Sequence, residues 1–233
     1  MYNCLCGSGE CECVFCAGGL SSTDLGENAR CALPGIVHRA RYGAHETLVR
    51  EGESRTRFFV LRSGYVKLTT LLANGRAQIT GLRRPGQLVG FAWEDVVYPY
   101  TATALTHVEV CQIAHQAVLQ VLQEKSSVTL RVVRRVAEEL AQARALIRDL
   151  GGKNAHGRIA SFILSLCPAE VEPTETLPFP LTRQEIAELL GLTRETVSRV
   201  ISELMQEQLI ETTQGGVCIL APARLHAVAR GGQ

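Results

Sequence analysis

Hydrophobic residues along the first half of the chain recur with the short period of β-strands. The stretch Phe58–Leu72 (FFVLRSGYVKLTTLL) contains two β-rich runs on either side of a glycine. In the second run, Val66 and Leu68 alternate with Tyr65 and Lys67, which is the pattern of a strand with one buried face. This part of the chain therefore predicts paired strands rather than helices.

Glycine turns divide this β-rich region into short pieces. Asn74-Gly75 is a strong signal for a type I′ hairpin turn, and Pro85-Gly86 marks another turn. A further β-rich stretch covers Thr101–Ile113. Because many short strands between glycine turns are typical of a roll or barrel, we predict a β-roll over residues 36–115.

A helical period replaces the strand period over residues 116–152, as one long helix or as a short helix followed by a long one. Apolar residues then recur at steps of three and four, which is the spacing of a coiled-coil seam. A helix packed on its own domain would show a similar pattern, but small and β-branched residues in a strict seam favour a contact between two such helices. We therefore predict a homodimer with the seam Val133, Val136, Leu140, Ala143, Ile147 and Leu150.

Two short helices with strong start signals follow a proline-rich connector at residues 168–180. Thr182 and Glu185 have the spacing of a capping box, Gly191 supplies a tight turn, and Thr193 caps the second helix. A glycine-tipped β-hairpin comes next, over Leu209–Leu220. A capped helix–turn–helix with such a wing is the geometry of a major-groove reader, so residues 153–233 predict a winged helix-turn-helix that binds double-stranded DNA.

The polar face of the second helix carries side chains that suit base readout. Arg199 can donate two hydrogen bonds to guanine, Glu195 can accept one from cytosine, and Ser198 can serve either edge. An ordinary helical hairpin with a solvated face is the alternative, which the caps, turn and wing together disfavour. Phosphate contacts are predicted at the two helix starts, from Thr182, Arg183, Thr193 and Arg194.

Overall composition limits the classes of function. The net charge is only +1, so DNA binding must come from a local basic patch. No segment has the roughly 20 apolar residues of a membrane span, and the N-terminus lacks the features of a secretory signal, so we expect a cytoplasmic protein. The sequence contains no Rossmann, P-loop or nucleophile-elbow motif, and we expect no enzymatic activity.

The first 35 residues form a predicted loop-rich arm that is dense in cysteine. Its cysteines follow the spacing C-x-C-x4-C-x-C-x2-C, in a glycine-rich stretch with too little apolar bulk for a core of its own. Thiolates at this density usually hold a metal or an iron–sulfur centre, or take part in thiol redox chemistry. The five residues are Cys4, Cys6, Cys11, Cys13 and Cys16.

From about Tyr42 to Ala223 the chain resembles the CRP/FNR family, with its best match to the FNR (fumarate and nitrate reduction regulator) branch. The segments LGLTRETVSRVISELMQEQLI, FFVLRSGYVKL and QLVGF carry the resemblance. It implies an α+β protein with an N-terminal β-roll (double-stranded β-helix) sensor domain, a long dimerisation helix and a C-terminal winged helix-turn-helix. It also implies a transcription regulator, an activator or a repressor, that works with RNA polymerase and binds a TTGAT-N4-ATCAA-like palindrome.

The same resemblance implies an oxygen- or nitric oxide-sensing 4Fe–4S cluster with three ligands from the arm and one from the roll. The arm spacing departs from the C-x2-C start that is usual in this branch. A set with Cys13, Cys16 and Cys31 therefore stays open, and so do zinc, reversible disulfides and haem. The favoured ligands are Cys6, Cys11, Cys16 and Cys111, with Cys13 as the alternative in the arm.

Two further departures from the family bear on the signal. The stretch VGFAWEDVVYPYTATAL lacks the Arg-Ser/Thr-Ala element with which the cyclic-nucleotide branch binds phosphate, so a cyclic nucleotide effector is not expected. Oxygen-labile members often place an acidic residue in the dimer seam, where this chain has Ala143. An apolar seam predicts a firmer dimer, because buried like charges weaken such a contact.

Overall fold

The computed structural model describes residues 37–91, 96–124, 126–167 and 176–231. The cysteine-rich arm, with its predicted ligands, lies outside the described residues. Contacts within the chain define two compact units, Met1–Ala141 and Gln142–Gln233, which are described separately below.

The first unit contains two four-stranded antiparallel sheets, which confirms the predicted β-roll. One sheet has the order β1-β8-β3-β6 and the other β2-β7-β4-β5. The strands are β1 Val37–Tyr42, β2 Thr47–Val49, β3 Arg57–Ser63, β4 Val66–Leu71, β5 Ala77–Arg83, β6 Leu88–Val89, β7 Thr101–Ala104 and β8 Val108–Ala114.

Strands β3 and β8 lie in the middle of the first sheet, and both of their faces are covered. Phe59 and Val110 face a core that also contains side chains of the second sheet. Phe58, Cys111 and Ile113 face the opposite side, where helices cover the sheet. This double burial explains why β3 reads as a continuous apolar run rather than an alternating one.

The turn between β4 and β5 differs from the prediction. A hairpin is present, but Asn74 has a negative φ and only Gly75, with φ +77°, is left-handed. The backbone N–H of Gly75 donates to Leu72 O (2.8 Å), and the N–H of Leu72 donates to Arg76 O (2.9 Å). The type I′ prediction is therefore wrong: the loop has three residues, of the kind that ends in a left-handed glycine at a bulge.

Two helices follow the roll, α1 at His115–Glu124 and α2 at Ser126–Gly152. Val128 and Val132 of α2 are buried against the roll. Other apolar side chains of α2 are exposed on the single chain, namely Leu130, Val133, Val136, Leu140 and Ile147. Ala143 is exposed as well and Leu150 is half-buried. No helix in the described part of the chain is long and apolar enough to cross a membrane.

The second unit contains the helices and strands that the sequence predicts for a winged helix-turn-helix. Its described elements are α3 Ala155–Leu166, β9 Thr176–Pro178, α4 Arg183–Leu190, α5 Arg194–Gln206, β10 Ile210–Thr213, β11 Gly216–Ile219 and α6 Pro222–Ala229. The last turns of α2 also belong to this unit.

Part of the predicted connector forms a strand. Thr176–Pro178, within residues 168–180, pairs with β11 and completes a three-stranded sheet with the order β10-β11-β9. Leu177 lies opposite Val217 and is buried. Leu177 is a single buried residue among prolines and polar residues. The strand therefore lacks an alternating apolar pattern, and its sequence resembles that of a linker.

Candidate nucleic-acid interface and sensor thiol

Local hydrogen bonds fix the start of α4 as the sequence predicts. The hydroxyl oxygen of Thr182 accepts from the backbone N–H of Glu185 (3.2 Å), and the carboxylate of Glu185 accepts from the backbone N–H of Thr182 (2.8 Å). This reciprocal capping box satisfies two of the N–H groups that a helix start leaves without partners. The helix ends at Leu190, and Gly191, which is left-handed with φ +62°, is its C-cap.

The second helix of the motif, α5, is capped at its N-terminus by Thr193, whose side chain accepts from the backbone N–H of Thr196 (3.2 Å). One face of α5 is fully packed in the unit, through Val197, Val200, Ile201 and Leu204. This packing leaves the opposite face to solvent. The rotation of α5 is therefore set by its apolar residues, and the polar face is presented outward as a consequence.

The predicted base-reading residues all lie on that exposed face. Glu195, Ser198 and Arg199 are exposed, and the Arg199 side chain is 61% accessible. Its Nη1 donates to Oε1 of Glu203 at 3.1 Å. The structure thus brings the three side chains together on one solvent-exposed surface.

Sequence reasoning missed a polar network behind this face. Nε2 of His156, on α3, lies 2.7 Å from Oε2 of Glu203. The hydrogen bond with His156 and, to a smaller extent, the hydrogen bond with Arg199 hold the pKa of the Glu203 carboxyl below its usual value. The Arg199–Glu203 part has the i,i+4 spacing of a helical ion pair and could have been found. The contact with His156 joins residues 47 positions apart, and no local signal predicts it.

The four predicted phosphate-contact residues differ in the contacts that their side chains already make within the protein. Thr182 and Thr193 use their hydroxyl oxygens as helix caps, and Arg194 is exposed at the start of α5. The guanidinium carbon of Arg183 lies over the ring of Phe179, 5.5 Å from its centroid. Burial lowers the pKa of Arg183, but an arginine keeps its charge at physiological pH.

Arg158 holds the helices of the second unit together. Its Nη2 donates to Leu150 O (2.7 Å) at the end of α2, and its Nη1 donates to Leu190 O (3.0 Å) at the end of α4. Its Nε donates to Lys153 O (3.0 Å). A cation is favourable at helix C-termini, where carbonyl groups lack partners. Arg158 thereby fixes the end of α2 to the helix-turn-helix.

The predicted roll ligand, Cys111, lies on β8 between Arg39 of β1 and Val60 of β3. It is fully buried among apolar side chains, on the sheet face that α1 and the start of α2 cover. A soft thiolate donor in apolar surroundings fits an iron–sulfur centre in type, and the other proposed donors are arm residues outside the described ranges. Within those ranges, no group of three or more His, Cys, Asp or Glu residues is placed to hold a metal ion.

Two tyrosines of the stretch VGFAWEDVVYPYTATAL contact Gly90 near its start. The backbone N–H of Gly90 donates to the hydroxyl oxygen of Tyr100 at 2.8 Å. The ring of Tyr98 packs directly on Gly90, and its hydroxyl donates to Arg57 O at 2.7 Å. The N–H of Gly90 is therefore hydrogen-bonded within the roll. The following residues, 92–95, lie outside the described part.

Comparisons with known protein families match both units. Residues 39–125 match the model of a cyclic nucleotide-binding domain. Residues 157–228 match the model of a Crp-like helix-turn-helix domain. The first match covers most of the roll, and the second covers most of the second unit.

Similar proteins of known role are transcription regulators. The chain is 34% identical over 197 residues to the nitrogen fixation regulation protein FixK of Bradyrhizobium diazoefficiens, covering 83% of each sequence. It is 33% identical over 205 residues to the transcriptional activator protein FnrA of Stutzerimonas stutzeri, covering 86% of this chain and 84% of FnrA. The solved structure of FixK2 from Bradyrhizobium japonicum superposes with a TM-score of 0.76 at 25% identity, over 83% of this chain and 97% of that one. The chain belongs to the CRP/FNR family, whose members are DNA-binding transcription regulators and not enzymes.

Proposed function

We propose that this regulator reads a TTGAT-N4-ATCAA-like palindrome with Glu195, Ser198 and Arg199 of α5. The observation that carries the proposal is the orientation of α5, whose apolar side chains are buried while these three side chains are exposed. The four phosphate-contact residues named above flank this face at the starts of α4 and α5. In this proposal the arm covers residues 1–35, the sensor roll 36–115, the dimerisation helix 116–152 and the DNA-binding domain 153–233.

A homodimer along α2 would place two such faces on one palindrome. The proposed seam is supported by the exposure of Val133, Val136, Leu140 and Ile147 on the single chain, while Val128 and Val132 are used by the roll. Leu130 is 70% exposed and lies one turn before Val133, beside the seam. Apolar side chains at these steps favour helix–helix association, and the regulators of this family act as dimers.

For the sensor we propose a 4Fe–4S cluster held by Cys111 together with Cys6, Cys11 and Cys16, or with Cys13 in place of one arm ligand. A bound cluster of this kind would supply iron that oxygen can oxidise and that nitric oxide can bind. Cys111 shares its core with Val128 and Val132 of α2. Binding or loss of the cluster at Cys111 would therefore change the packing of the dimerisation helix.

RNA polymerase is the proposed protein partner, and the cytoplasm is the proposed location. FnrA carries the name transcriptional activator, and we propose that this chain likewise activates transcription by contacting RNA polymerase in the cytoplasm. We propose no cyclic nucleotide effector, because the stretch VGFAWEDVVYPYTATAL lacks the Arg-Ser/Thr-Ala element of the cyclic-nucleotide branch.

The test is purification without air, followed by iron and sulfide analysis and by titration of the palindrome. The account expects about four irons per chain, and DNA affinity that falls on exposure to air. The variant Cys111→Ala should lose iron and this air response, whereas the control Cys218→Ala, which removes another buried thiol, should keep both. Zinc in place of iron, or sequence-specific binding by a metal-free protein, would contradict the proposed cluster but not the proposed DNA recognition.

A further inference from the structure

The network behind the reading face links Arg199 to a second helix through one carboxylate. Oε1 of Glu203 accepts from Arg199 Nη1 at 3.1 Å, and Oε2 lies 2.7 Å from Nε2 of His156 on α3. An exposed i,i+4 ion pair alone fixes little, since both side chains remain mobile. Here the carboxylate also has a partner on another helix, so its position is set from two sides.

We infer that Glu203 is a positioning residue that fixes Arg199 for guanine recognition, with His156 as its anchor. The inference rests on the proposed function, because it requires Arg199 to read DNA. It adds a specificity determinant that does not itself contact a base.

The geometry leaves the useful edge of Arg199 open. Recognition of guanine uses two parallel N–H groups of one guanidinium. The bond to Glu203 uses Nη1, and the edge formed by Nε and Nη2 takes no part in it. A long arginine side chain loses much rotamer freedom when it is ordered on DNA, so ordering it beforehand favours binding in the correct geometry.

The charge of Glu203 also fits this role. A carboxylate on a reading face repels DNA phosphates unless cations offset it. Glu203 lies between Arg199 and His156, and both contacts lower its pKa, so it stays ionised as an acceptor near neutral pH. Its removal should therefore change discrimination between bases more than affinity for DNA in general.

The test compares two dissociation constants for the full-length protein at one salt concentration. One DNA carries the palindrome, and the other carries an A·T pair in place of the G·C pair of each half-site. For Glu203→Ala we expect the ratio of the two constants to fall by about 10-fold, from the size of a bidentate arginine–guanine contact. Affinity for unrelated DNA should stay the same or rise slightly.

Conservative variants separate positioning from folding. Glu203→Gln keeps an acceptor of the same length and should retain most of the discrimination. Glu203→Asp keeps the charge but is one methylene shorter, and it should lose discrimination as Glu203→Ala does. His156→Ala should give a smaller loss in the same direction. Glu207→Ala is the matched control, since it removes a carboxylate from an exposed residue just beyond the end of α5.

The outcomes distinguish the inference from the proposed function. If Arg199→Ala leaves the ratio unchanged, the DNA-reading role of Arg199 is wrong. If Arg199→Ala removes discrimination while Glu203→Ala and Glu203→Asp keep the wild-type ratio, only the positioning role is wrong. The inference further requires that Glu203→Ala have no additional effect in the Arg199→Ala background, and an additive loss there would overturn it.

Discussion

Replacing Glu139 should uncouple helix α2 from the roll, because this side chain connects the two. Oε1 of Glu139 accepts from the backbone N–H of Leu88 at 3.1 Å, and Oε2 lies 3.2 Å from Nη2 of Arg83. The side chains of Glu139 and Arg83 are each only 20% exposed. The neighbouring Glu138 is 47% exposed and pairs with Arg135 on the helix surface.

The size of the effect follows from what each truncation leaves behind. Glu139→Ala leaves the N–H of Leu88 without its acceptor, which costs about 1–3 kcal/mol in a partly buried site. Loss of the ion pair with Arg83, in which each side chain is 20% exposed, adds about 1 kcal/mol, between the values for exposed and buried pairs. The higher helix propensity of alanine returns a few tenths of a kcal/mol. We expect a net loss of about 1.5–3.5 kcal/mol for Glu139→Ala and at most about 0.5 kcal/mol for Glu138→Ala.

Urea unfolding of the full-length protein can measure this loss in the first unit. The single tryptophan and all five tyrosines precede residue 142, so aromatic fluorescence reports unfolding of the Met1–Ala141 unit. The midpoint should fall for Glu139→Ala and stay nearly constant for Glu138→Ala, at fixed protein concentration. Equal midpoints for the two variants would refute the reasoning.

Three further outcomes follow from other contacts. Leu140→Glu places like charges in the proposed seam and should give monomers in sedimentation experiments, and a stable dimer would place the interface elsewhere. Arg158→Ala removes three hydrogen bonds to main-chain carbonyls and should cost about 2–4 kcal/mol. Amides at the end of α4 should then exchange hydrogen on the order of 100-fold faster, while the exposed control Arg148→Ala leaves them unchanged; equal exchange in both variants would contradict this. Burial raises the pKa of Tyr100, so the contribution of its phenol is complete below pH about 10, the unfolded-state pKa, and is lost as pH rises through the folded-state pKa. Tyr100→Phe should therefore be less stable than wild type near pH 8, with the gap narrowing above pH 10, and a gap that widens there would show the opposite sign.

Features governed by neighbouring residues could be predicted from the sequence. The caps at Thr182 and Thr193 join residues three positions apart, and the structure contains both. The buried face of α5 follows from the helical period and is also present. Such features depend on local geometry, which the sequence states directly.

Features that depend on distant residues could not be predicted in this way. The strand at Thr176–Pro178 exists because Leu177 finds a place beside Val217, and nothing in its own sequence shows this. The contact of His156 with Glu203 joins two helices. The type I′ prediction at Asn74 was wrong for another reason, because an Asn-Gly pair occurs in hairpin loops of two and of three residues. Cluster ligation by the arm stays a prediction.

The central claim is that two α5 helices, held by one dimer, read two half-sites about one DNA turn apart. The most direct test compares the dissociation constant for the palindrome with that for the same half-sites after insertion of five base pairs, using protein kept without air. Such an insertion rotates one half-site by about half a turn. The account predicts an affinity at least about 100-fold weaker, close to that for unrelated DNA. Equal affinity for the two DNAs would contradict it.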